Sequence, residues 1–218
     1  MIFPTLRGKR ASDIHLNYLS RLWMENEYRG SKVSNPLLNP YMCDQMVNHI
    51  HTVLAVDWSY GGYLEDRSGI WAESYLAENG FFLHLGVDFN APAGTPVSID
   101  VTGVVIRIDN DTPLVGGWGT RVIVKVQDED IILIYAHLDC TPNCKVGDTL
   151  KPGDVFAWVG APDCNGYWYP HVHVQAMSTE TYQEFKDRPD ELDGYGDVND
   201  ILALRKRFPN PCLYVQVK

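Results

Sequence analysis

Two histidines lie two residues apart in the segment "NGYWYPHVHVQ", residues 165–175. Side chains at positions i and i+2 of a β-strand point to the same face of the sheet. His171 and His173 would therefore face one way, and Val172 and Val174 would face the other way as core residues. Two imidazoles on one face are suited to bind a metal ion or to transfer protons, because the imidazole pKa of about 6.5 lies near neutrality.

Three more residues with suitable chemistry occur upstream, in "HLGVD" and "IYAHL". His84 and Asp88 are four apart, an even spacing that would keep both on one face of a strand, and Gly86 between them adds little bulk. His137 ends an apolar run. Each feature alone is more often structural, since a lone histidine at a strand end is commonly a hydrogen-bonded surface residue. Together they place four of the seven histidines in β segments rich in glycine and proline.

These residue types fit one kind of chemistry. Catalytic zinc takes three protein ligands from His and Asp or Glu and keeps one position for water, whose pKa it lowers to about 7. His84, Asp88 and one histidine of the 171/173 pair would supply those ligands. Of the two remaining histidines, one would take a proton from the water and the other would stabilise an oxyanion.

The sequence pattern of residues 81–177 is typical of an all-β domain. Short apolar runs alternate with Gly, Pro and Asp, and the runs read PVSIDVTGVVIRID, RVIVKV, DIILIYAHL, DVFAWVG and HVHVQAM. The segment KVGDTLKPGDVFAWVG holds two Gly-Asp turns, which fold a chain back sharply. Short strands with turns between them predict a sandwich or a barrel.

The flanking segments predict helices. Residues 12–29 have apolar side chains at helical spacing, with Ser12 as the N-cap and Gly30 as the stop signal. A second helix is predicted over 41–54 and a short one over 198–207. The N-terminal helices would either pack against the β domain or act as a lid over a groove.

We therefore divide the chain into an N-terminal helical extension at 1–56, a β domain at 57–178 and a C-terminal extension at 179–218 that packs on the β domain. Within the β domain, residues 57–80 predict an irregular segment, because glycines and aromatic residues are mixed there without a clear period. The aromatic side chains that would line a groove, if they are not simply core, are Trp118, Tyr167 and Trp168.

The composition is that of an acidic globular protein. Of 218 residues, 45% are hydrophobic and 21% are charged, and the net charge is −10. No run rich in Lys or Arg occurs, so a nucleic-acid partner is not expected. Anionic membranes would repel the chain, and the sequence shows neither a leader-like segment nor an apolar run of the ~20 residues that a membrane span needs. The sequence therefore predicts a cytoplasmic protein without a membrane partner.

Five cysteines occur in the chain, and they are Cys43, Cys140, Cys144, Cys164 and Cys212. The odd count and the lack of a CxxC spacing argue against a disulfide framework and against a zinc knuckle. Free thiols in a reducing compartment are predicted. A bridge between Cys140 and Cys144 stays open, because the two are close in sequence.

The segments HLGVDFNAPAGTPVSIDVTGVV, YAHL and PHVHVQ resemble, in order and context, the three signatures of the M23 (LytM or lysostaphin-type) zinc metallopeptidases. The resemblance covers roughly residues 81–177. It implies a mainly β, barrel-sandwich fold of the duplicated hybrid motif type. It also implies Zn²⁺ as the cofactor and a peptide or a peptidoglycan-like polymer as the substrate.

By the same resemblance, the zinc ligands would be His84, Asp88 and His173. His171 would be the general base, and His137 would bind and polarise the water or the oxyanion. Zinc would activate a water molecule for attack on a peptide carbonyl.

Parts of the chain depart from the secreted cell-wall enzymes of this family. The second histidine of the pair is followed by Val-Gln instead of the usual Phe-Glu, and neither a leader nor a wall-binding module is visible. The segments GGYLEDR (residues 61–67) and NGYWYP (165–170) are more similar to leaderless intracellular M23-like domains, some of them fused to aminotransferases.

The function expected from the sequence is a zinc-dependent hydrolase of peptide or amide bonds, of the metalloendopeptidase type, with peptidoglycan-type peptides among the candidate substrates. The first alternative is a metal-binding recognition module without catalysis. The second is a hydrolase of a small amide metabolite in the cytoplasm. The sequence leaves open the oligomeric state and the choice between zinc and another divalent ion.

Overall fold

The computed structural model describes residues 1–29, 35–111 and 115–217. Most of the regular structure is β. The strands are β1 Ala11–Asp13, β2 Trp58–Gly61, β3 Leu83–His84, β4 Val87–Asn90, β5 Pro96–Ser98, β6 Gly103–Asn110, β7 Thr120–Val126, β8 Ile131–Leu138, β9 Thr149–Leu150, β10 Val155–Trp158, β11 Val172–Ser178 and β12 Tyr195–Gly196. The α-helices are α1 Leu16–Glu27, α2 Pro40–Leu54, α3 Ser68–Trp71, α4 Thr179–Phe185 and α5 Ile201–Arg207.

Eight strands form one sheet in the order β1-β2-β4-β11-β8-β7-β6-β9. Two small sheets, β10-β5 and β12-β3, lie beside it. The predicted mainly β class is therefore confirmed, and so are the strands predicted between 96 and 178. In the described part of the chain the large sheet is open, since β1 and β9 each end it, which is consistent with the expected barrel-sandwich class without a closed barrel.

The central strands are buried on both faces, because alternate residues enter two separate apolar clusters. In β8, Leu133 and Tyr135 belong to the largest cluster, whereas Ile132 and Ile134 belong to a second cluster on the opposite face. This explains why the sequence IILIYAHL is apolar throughout instead of alternating with polar residues. The predicted core position of Val172 and Val174 is confirmed, since both are fully buried in the largest cluster.

The N-terminal segment is not purely helical. Ile2 and Phe3 are fully buried in the largest apolar cluster, and β1 pairs in parallel with β2. Ser12 therefore lies in a strand, and His15 is the N-cap of α1. The expected stop at Gly30 lies outside the described residues. The prediction of an irregular segment over 57–80 is partly wrong, because β2 pairs there with β4.

The second predicted helix is confirmed as α2, whose N-cap side chain, Asn39, accepts hydrogen bonds from two backbone N–H groups of the first turn. The predicted C-terminal helix is confirmed as α5, whereas α4 was not predicted. Within the described residues, no helix combines the length and the apolar composition that crossing a bilayer requires. The division at residues 56 and 178 stays a prediction.

Helices α1 and α2 pack through an apolar cluster of their own. The members of this cluster are Ile14, Leu16, Leu37, Cys43, Met46, Val47, Ile50, Ile70, Trp71, Leu76 and Tyr169. Because Tyr169 comes from the strand-rich region, the cluster joins the helices to the β layer. This continuous packing favours a structural role for the helices over a movable lid.

Cys140 forms a disulfide with Cys164, which corrects the expectation of free thiols and leaves Cys144 unbridged. The two cysteines are 24 residues apart in sequence, and they meet because the segment after β10 returns to the end of β8. The location of the protein in the cell stays a prediction.

Replacing both bridged cysteines, Cys140→Ser with Cys164→Ser, should lower the free energy of unfolding by about 3 kcal/mol, because a closed loop of this length restricts the unfolded chain. Urea denaturation followed by fluorescence measures the change. The control is Cys144→Ser, which removes a half-buried free thiol and should cost far less. Equal losses in the two proteins would show that the bridge contributes nothing.

Candidate metal centre

Three strands bring the three predicted ligands together. His173 on β11 is the cross-strand partner of Asp88 on β4, and His84 ends β3. His84 Nε2 lies 2.9 Å from His173 Nδ1 and 3.3 Å from Asp88 Oδ1, and His173 Nδ1 lies 3.2 Å from the same oxygen. Among the described residues, His84, Asp88 and His173 form the cluster of His, Cys, Asp or Glu side chains whose ligand atoms lie close enough together to hold one metal ion.

Each of the two histidines has an outer partner that accepts a hydrogen bond. His84 Nδ1 donates to the carbonyl oxygen of Gly62 at 3.0 Å, and His173 Nε2 donates to Gln175 Oε1 at 3.1 Å. The amide of Gln175 is oriented by its own donation to the carbonyl of Asp193. These bonds place a lone pair on the inward nitrogen of each ring, and metal-bound histidines in proteins are commonly oriented by hydrogen bonds of this kind.

The third ligand is held by a buried cation. Arg67 Nη1 donates to Asp88 Oδ2 at 2.5 Å, and Arg67 Nε donates to Glu65 at 3.0 Å. Arg67 is only 2% exposed, so its charge is compensated by these two carboxylates rather than by water. The contact leaves Asp88 Oδ1 to face the two imidazoles.

The donor set fits a zinc ion. Tetrahedral coordination at about 2.0–2.1 Å places neighbouring donor atoms about 3.3 Å apart, and the three distances lie close to that value. Two lone pairs and a carboxylate oxygen this close together repel one another unless a cation lies between them. In a neutral ring, a proton on the inward nitrogen would leave the outer acceptor of that ring, Gly62 O or Gln175 Oε1, without its donor.

Gly86 permits the approach of the third ligand, and His84 and Asp88 do not share one strand as expected. The chain leaves β3 after His84 and enters β4 at Val87. A Cβ atom on Gly86 would lie 2.5 Å from the His173 ring and 2.6 Å from a neighbouring carbonyl. The glycine is therefore a steric requirement of the site and not merely a small spacer.

Two more predicted histidines lie beside the ligands. His171 Nδ1 donates to the carbonyl of Tyr169 at 2.7 Å, and its Nε2 is 3.6 Å from Asp88 Oδ1. The rings of His137 and His171 are 4.5 Å apart between centroids. His137 Nδ1 donates to the carbonyl of Asn165 at 2.9 Å. Both histidines therefore turn an unprotonated Nε2 away from the backbone.

A bulge in β8 directs His137 into this group. Strict alternation would place it on the face of Leu133 and Tyr135, in the large apolar cluster. Its backbone instead has a φ of 61°, and the pairing of β8 with β7 shifts by one residue at this point. A bulge re-aims a side chain in this way, and the left-handed backbone of a non-glycine residue is typical of functional sites.

Burial favours the neutral form of His84, His137 and His171. It lowers the pKa of His84 to about 3, with the Arg67 guanidinium as the second cause. Burial also lowers the pKa of His171 and, together with the neighbouring imidazoles, holds the pKa of His137 well below its usual range. For Asp88, burial would raise the pKa, but His84 and Arg67 hold it well below its usual range. Neutral imidazoles and an ionised carboxylate are the forms that bind a metal.

The five predicted residues lie at the base of a cavity whose empty space, including the part open to solvent, is about 450 Å³. They are between 1% and 7% exposed. Other residues that line the cavity are Arg67, Trp71, Gly116, Gly117, Trp118, Trp168, Tyr169, Asp193, Gly194 and Tyr195. Of the three aromatic candidates for a groove, Trp118 and Trp168 line it, whereas Tyr167 does not.

Two residues that contact the ligands, Arg67 and Gln175, were not among the site residues predicted from the sequence. Gln175 had a detectable signal, because it follows His173 by two residues on the same strand face. The spacing of Arg67 gave no signal, since it lies 21 residues from Asp88 and outside any strand; the signal was the segment GGYLEDR, which ends at Arg67 and resembles other M23-like domains.

Residues 82–185 match the profile of peptidase family M23, and this range includes all five predicted site residues. The chain therefore contains a peptidase family M23 domain, as its motifs predicted.

Curated relatives align with parts of this chain. It is 30% identical over 94 residues to the DD-carboxypeptidase/endopeptidase Mpg of Neisseria meningitidis, covering 43% of this chain and 20% of that protein. It is 29% identical over 127 residues to lysostaphin of Staphylococcus simulans, covering 51% and 23%. It is 35% identical over 78 residues to the uncharacterized lipoprotein YgeR of Escherichia coli, covering 36% and 29%. The chain thus spans less than a third of these relatives.

Solved structures show similarities of the same kind. The catalytic domain of the antimicrobial peptidase lysostaphin from Staphylococcus simulans is 27% identical, with 57% of this chain and 80% of that chain covered and a TM-score of 0.41. A zinc containing peptidase from Vibrio cholerae is 28% identical, with 45% and 28% covered and a TM-score of 0.39. The family assignment rests on the match at 82–185 and not on these scores.

Gly86→Ala should push the His173 ring out of the centre and weaken zinc binding about 10- to 100-fold, the loss typical of disturbed ligand orientation. Competition with a chelating dye measures the affinity. The control is Gly94→Ala, where a Cβ atom meets open space and only the backbone is strained. Unchanged affinity in Gly86→Ala would contradict the steric argument.

Arg67→Met should lower the free energy of unfolding by about 3–5 kcal/mol in chelator, because it leaves Asp88 and Glu65 buried without a cation. Added zinc should recover part of the loss, since it would compensate Asp88. Denaturant unfolding with and without zinc measures both effects. The matched control is Arg188→Met, which breaks an exposed pair with Glu191 and should cost less than about 1 kcal/mol.

Proposed function

We propose that this chain is a zinc-dependent hydrolase of peptide or amide bonds with water as the attacking group. The observation that carries the proposal is the convergence of three unprotonated donor atoms, with two further imidazoles beside them, inside an M23 domain. Related proteins carry names that state such activities, including a DD-carboxypeptidase/endopeptidase and a glycyl-glycine endopeptidase. We extend this class of substrate, including peptidoglycan-type peptides, to the present chain.

The ion would be held by His84 Nε2, Asp88 Oδ1 and His173 Nδ1. When bound, zinc would lower the pKa of a water molecule to about 7 and would polarise the carbonyl of the bond to be cleaved. Arg67 keeps the second oxygen of Asp88 occupied, so that the carboxylate presents one oxygen to the ion. Gly62 and Gln175 fix the rings of the two histidines in the orientation that binding needs.

His171 is the proposed general base. Its Nδ1 proton is committed to the carbonyl of Tyr169, so its Nε2 accepts a proton from the attacking water. As the bond between carbonyl carbon and nitrogen breaks, His171 returns that proton to the leaving nitrogen. His137 is tied through Nδ1 to Asn165, and its Nε2 accepts a hydrogen bond that orients the water.

A panel of peptides and muropeptides, assayed with zinc-loaded protein, tests the function. His171→Ala should reduce turnover at least about 100-fold, because a general base contributes 10²–10⁴-fold, and it should retain zinc. His84→Ala should lose zinc and turnover together. The control is His49→Ala, which removes an exposed imidazole of α2 and should change neither quantity.

Zinc content by elemental analysis and turnover by chromatography give independent readouts. Zinc binding without turnover of any substrate would favour the recognition module. Turnover that persists in His171→Ala with zinc retained would remove that residue from the mechanism. A wild-type protein that binds no divalent ion would refute the metal centre itself.

A further inference from the structure

The cavity over the ligand atoms has four walls, and two of them come from outside the M23 match at 82–185. The first wall is the segment from Arg67 to Trp71, before the match, and the fourth is the segment from Asp193 to Tyr195, after it. The second and third walls, Gly116–Trp118 and Trp168–Tyr169, belong to the matched domain. The flanking segments therefore shape what can reach the metal centre.

Direct contacts join the first three walls. The rings of Trp71 and Trp168 meet edge to face, with centroids 5.3 Å apart, and this contact joins the first wall to the third. The indole N–H of Trp168 donates to the carbonyl of Gly117 at 2.8 Å, which joins the third wall to the second. Trp168 therefore contacts both the first wall and the second wall.

The fourth wall closes the rim. The indole N–H of Trp118 donates to the carbonyl of Leu192 at 3.0 Å, which joins the second wall to the fourth. Tyr195 packs against the apolar cluster that contains Trp71 and so returns to the first wall. Strand β12 also pairs with β3, where Tyr195 lies opposite His84. Across the described residues, each wall is therefore tied to the next.

A rim closed on all sides restricts how a substrate enters. Cleavage within a polymer requires the chain to leave the site in two directions, whereas a cavity that is walled all round accepts one chain end. The deep burial of all five site residues agrees with entry of a chain end.

The charges in the cavity indicate which end fits. Arg67, Asp88 and Asp193 are the charged side chains that line it. Arg67 is already paired with Asp88 and Glu65, so none of the side chains that line the cavity offers a free cation to the carboxylate of a carboxyl terminus. The carboxylate of Asp193 accepts a backbone N–H from Tyr195 at 3.1 Å and makes no ion pair among the described residues. An ammonium group is the complement of such a carboxylate among aromatic rings.

We propose that the cavity takes the amino-terminal end of a short peptide or aminoacyl amide, with the free α-amino group at Asp193. This inference rests on the proposed hydrolase function and narrows its substrate to chain ends. The water oxygen bonds to the carbonyl carbon near that end, and the bond from carbon to nitrogen breaks. One water proton passes to the leaving nitrogen, and the other is released from the new carboxyl group.

Hydrolysis of one short peptide in four forms tests this inference: free at both ends, acetylated at the amino end, amidated at the carboxyl end, and blocked at both ends. Acetylation should lower kcat/KM at least about 10-fold, which is the size of one charge-assisted hydrogen bond. Amidation should have little effect. The same sequence placed inside a long peptide, or in cross-linked muropeptide, should be cleaved as poorly as the blocked form.

Asp193→Asn is the matched variant, because it keeps an oxygen for the backbone N–H of Tyr195 and removes only the charge. It should abolish the difference between the free and the acetylated peptide and leave zinc content unchanged. A second readout does not need catalysis. In calorimetry with zinc-free protein, alaninamide should bind at least about 10-fold more tightly than N-acetylalaninamide, and Asp193→Asn should remove this preference.

The outcomes separate the two proposals. If nothing is hydrolysed but the preference for alaninamide holds, the hydrolase function fails and recognition of the amino end stands. If the doubly blocked or internal sequence is cleaved as efficiently as the free peptide, the function stands and this inference is overturned. A loss on amidation instead of acetylation, or equal binding of the two amides, also overturns it.

Discussion

The structure depends on holding three electron-rich atoms within 3.3 Å of one another in a water-poor interior. Each of these atoms would repel the other two without a cation. The chain meets this constraint from the outside, with one partner for each ligand: a backbone carbonyl, a buried guanidinium and a side-chain amide. Strands β3, β4 and β11 and the segment before them, residues 62–67, contribute to this arrangement, so the metal centre depends on the pairing of β4 with β11 in the large sheet.

Much of this arrangement could be predicted because it depends on short-range periodicity. The two-residue spacing of His171 and His173 and the burial of the valines follow from strand alternation, and the order of the motifs indicates the family. The mainly β class follows from the spacing of apolar runs and turns. The structure brings the five predicted residues together, while their roles as ligands, base and water-binding group stay predictions.

The remaining features depend on contacts between distant parts of the chain, which local patterns do not encode. Arg67 reaches Asp88 across a loop, and Cys140 meets Cys164 because two segments return to one place. The bulge at His137 is set by register with the neighbouring strand, so alternation alone would have assigned this side chain to the core. The requirement for glycine at position 86 also depends on a distant contact, since its small size matters only because the His173 ring from another strand lies against it.

Because imidazoles and valines alternate in β11, the positions of the site residues and of the core residues both depend on the register of this strand. A slip of one residue would turn the valines toward the cavity and would bury the imidazoles among aliphatic side chains. Such a misfolded chain would lose its ligands, its base and its core packing at the same time. Intermediate states with a partly formed centre are therefore disfavoured, and metal capture would report that the middle of the sheet has reached its correct pairing.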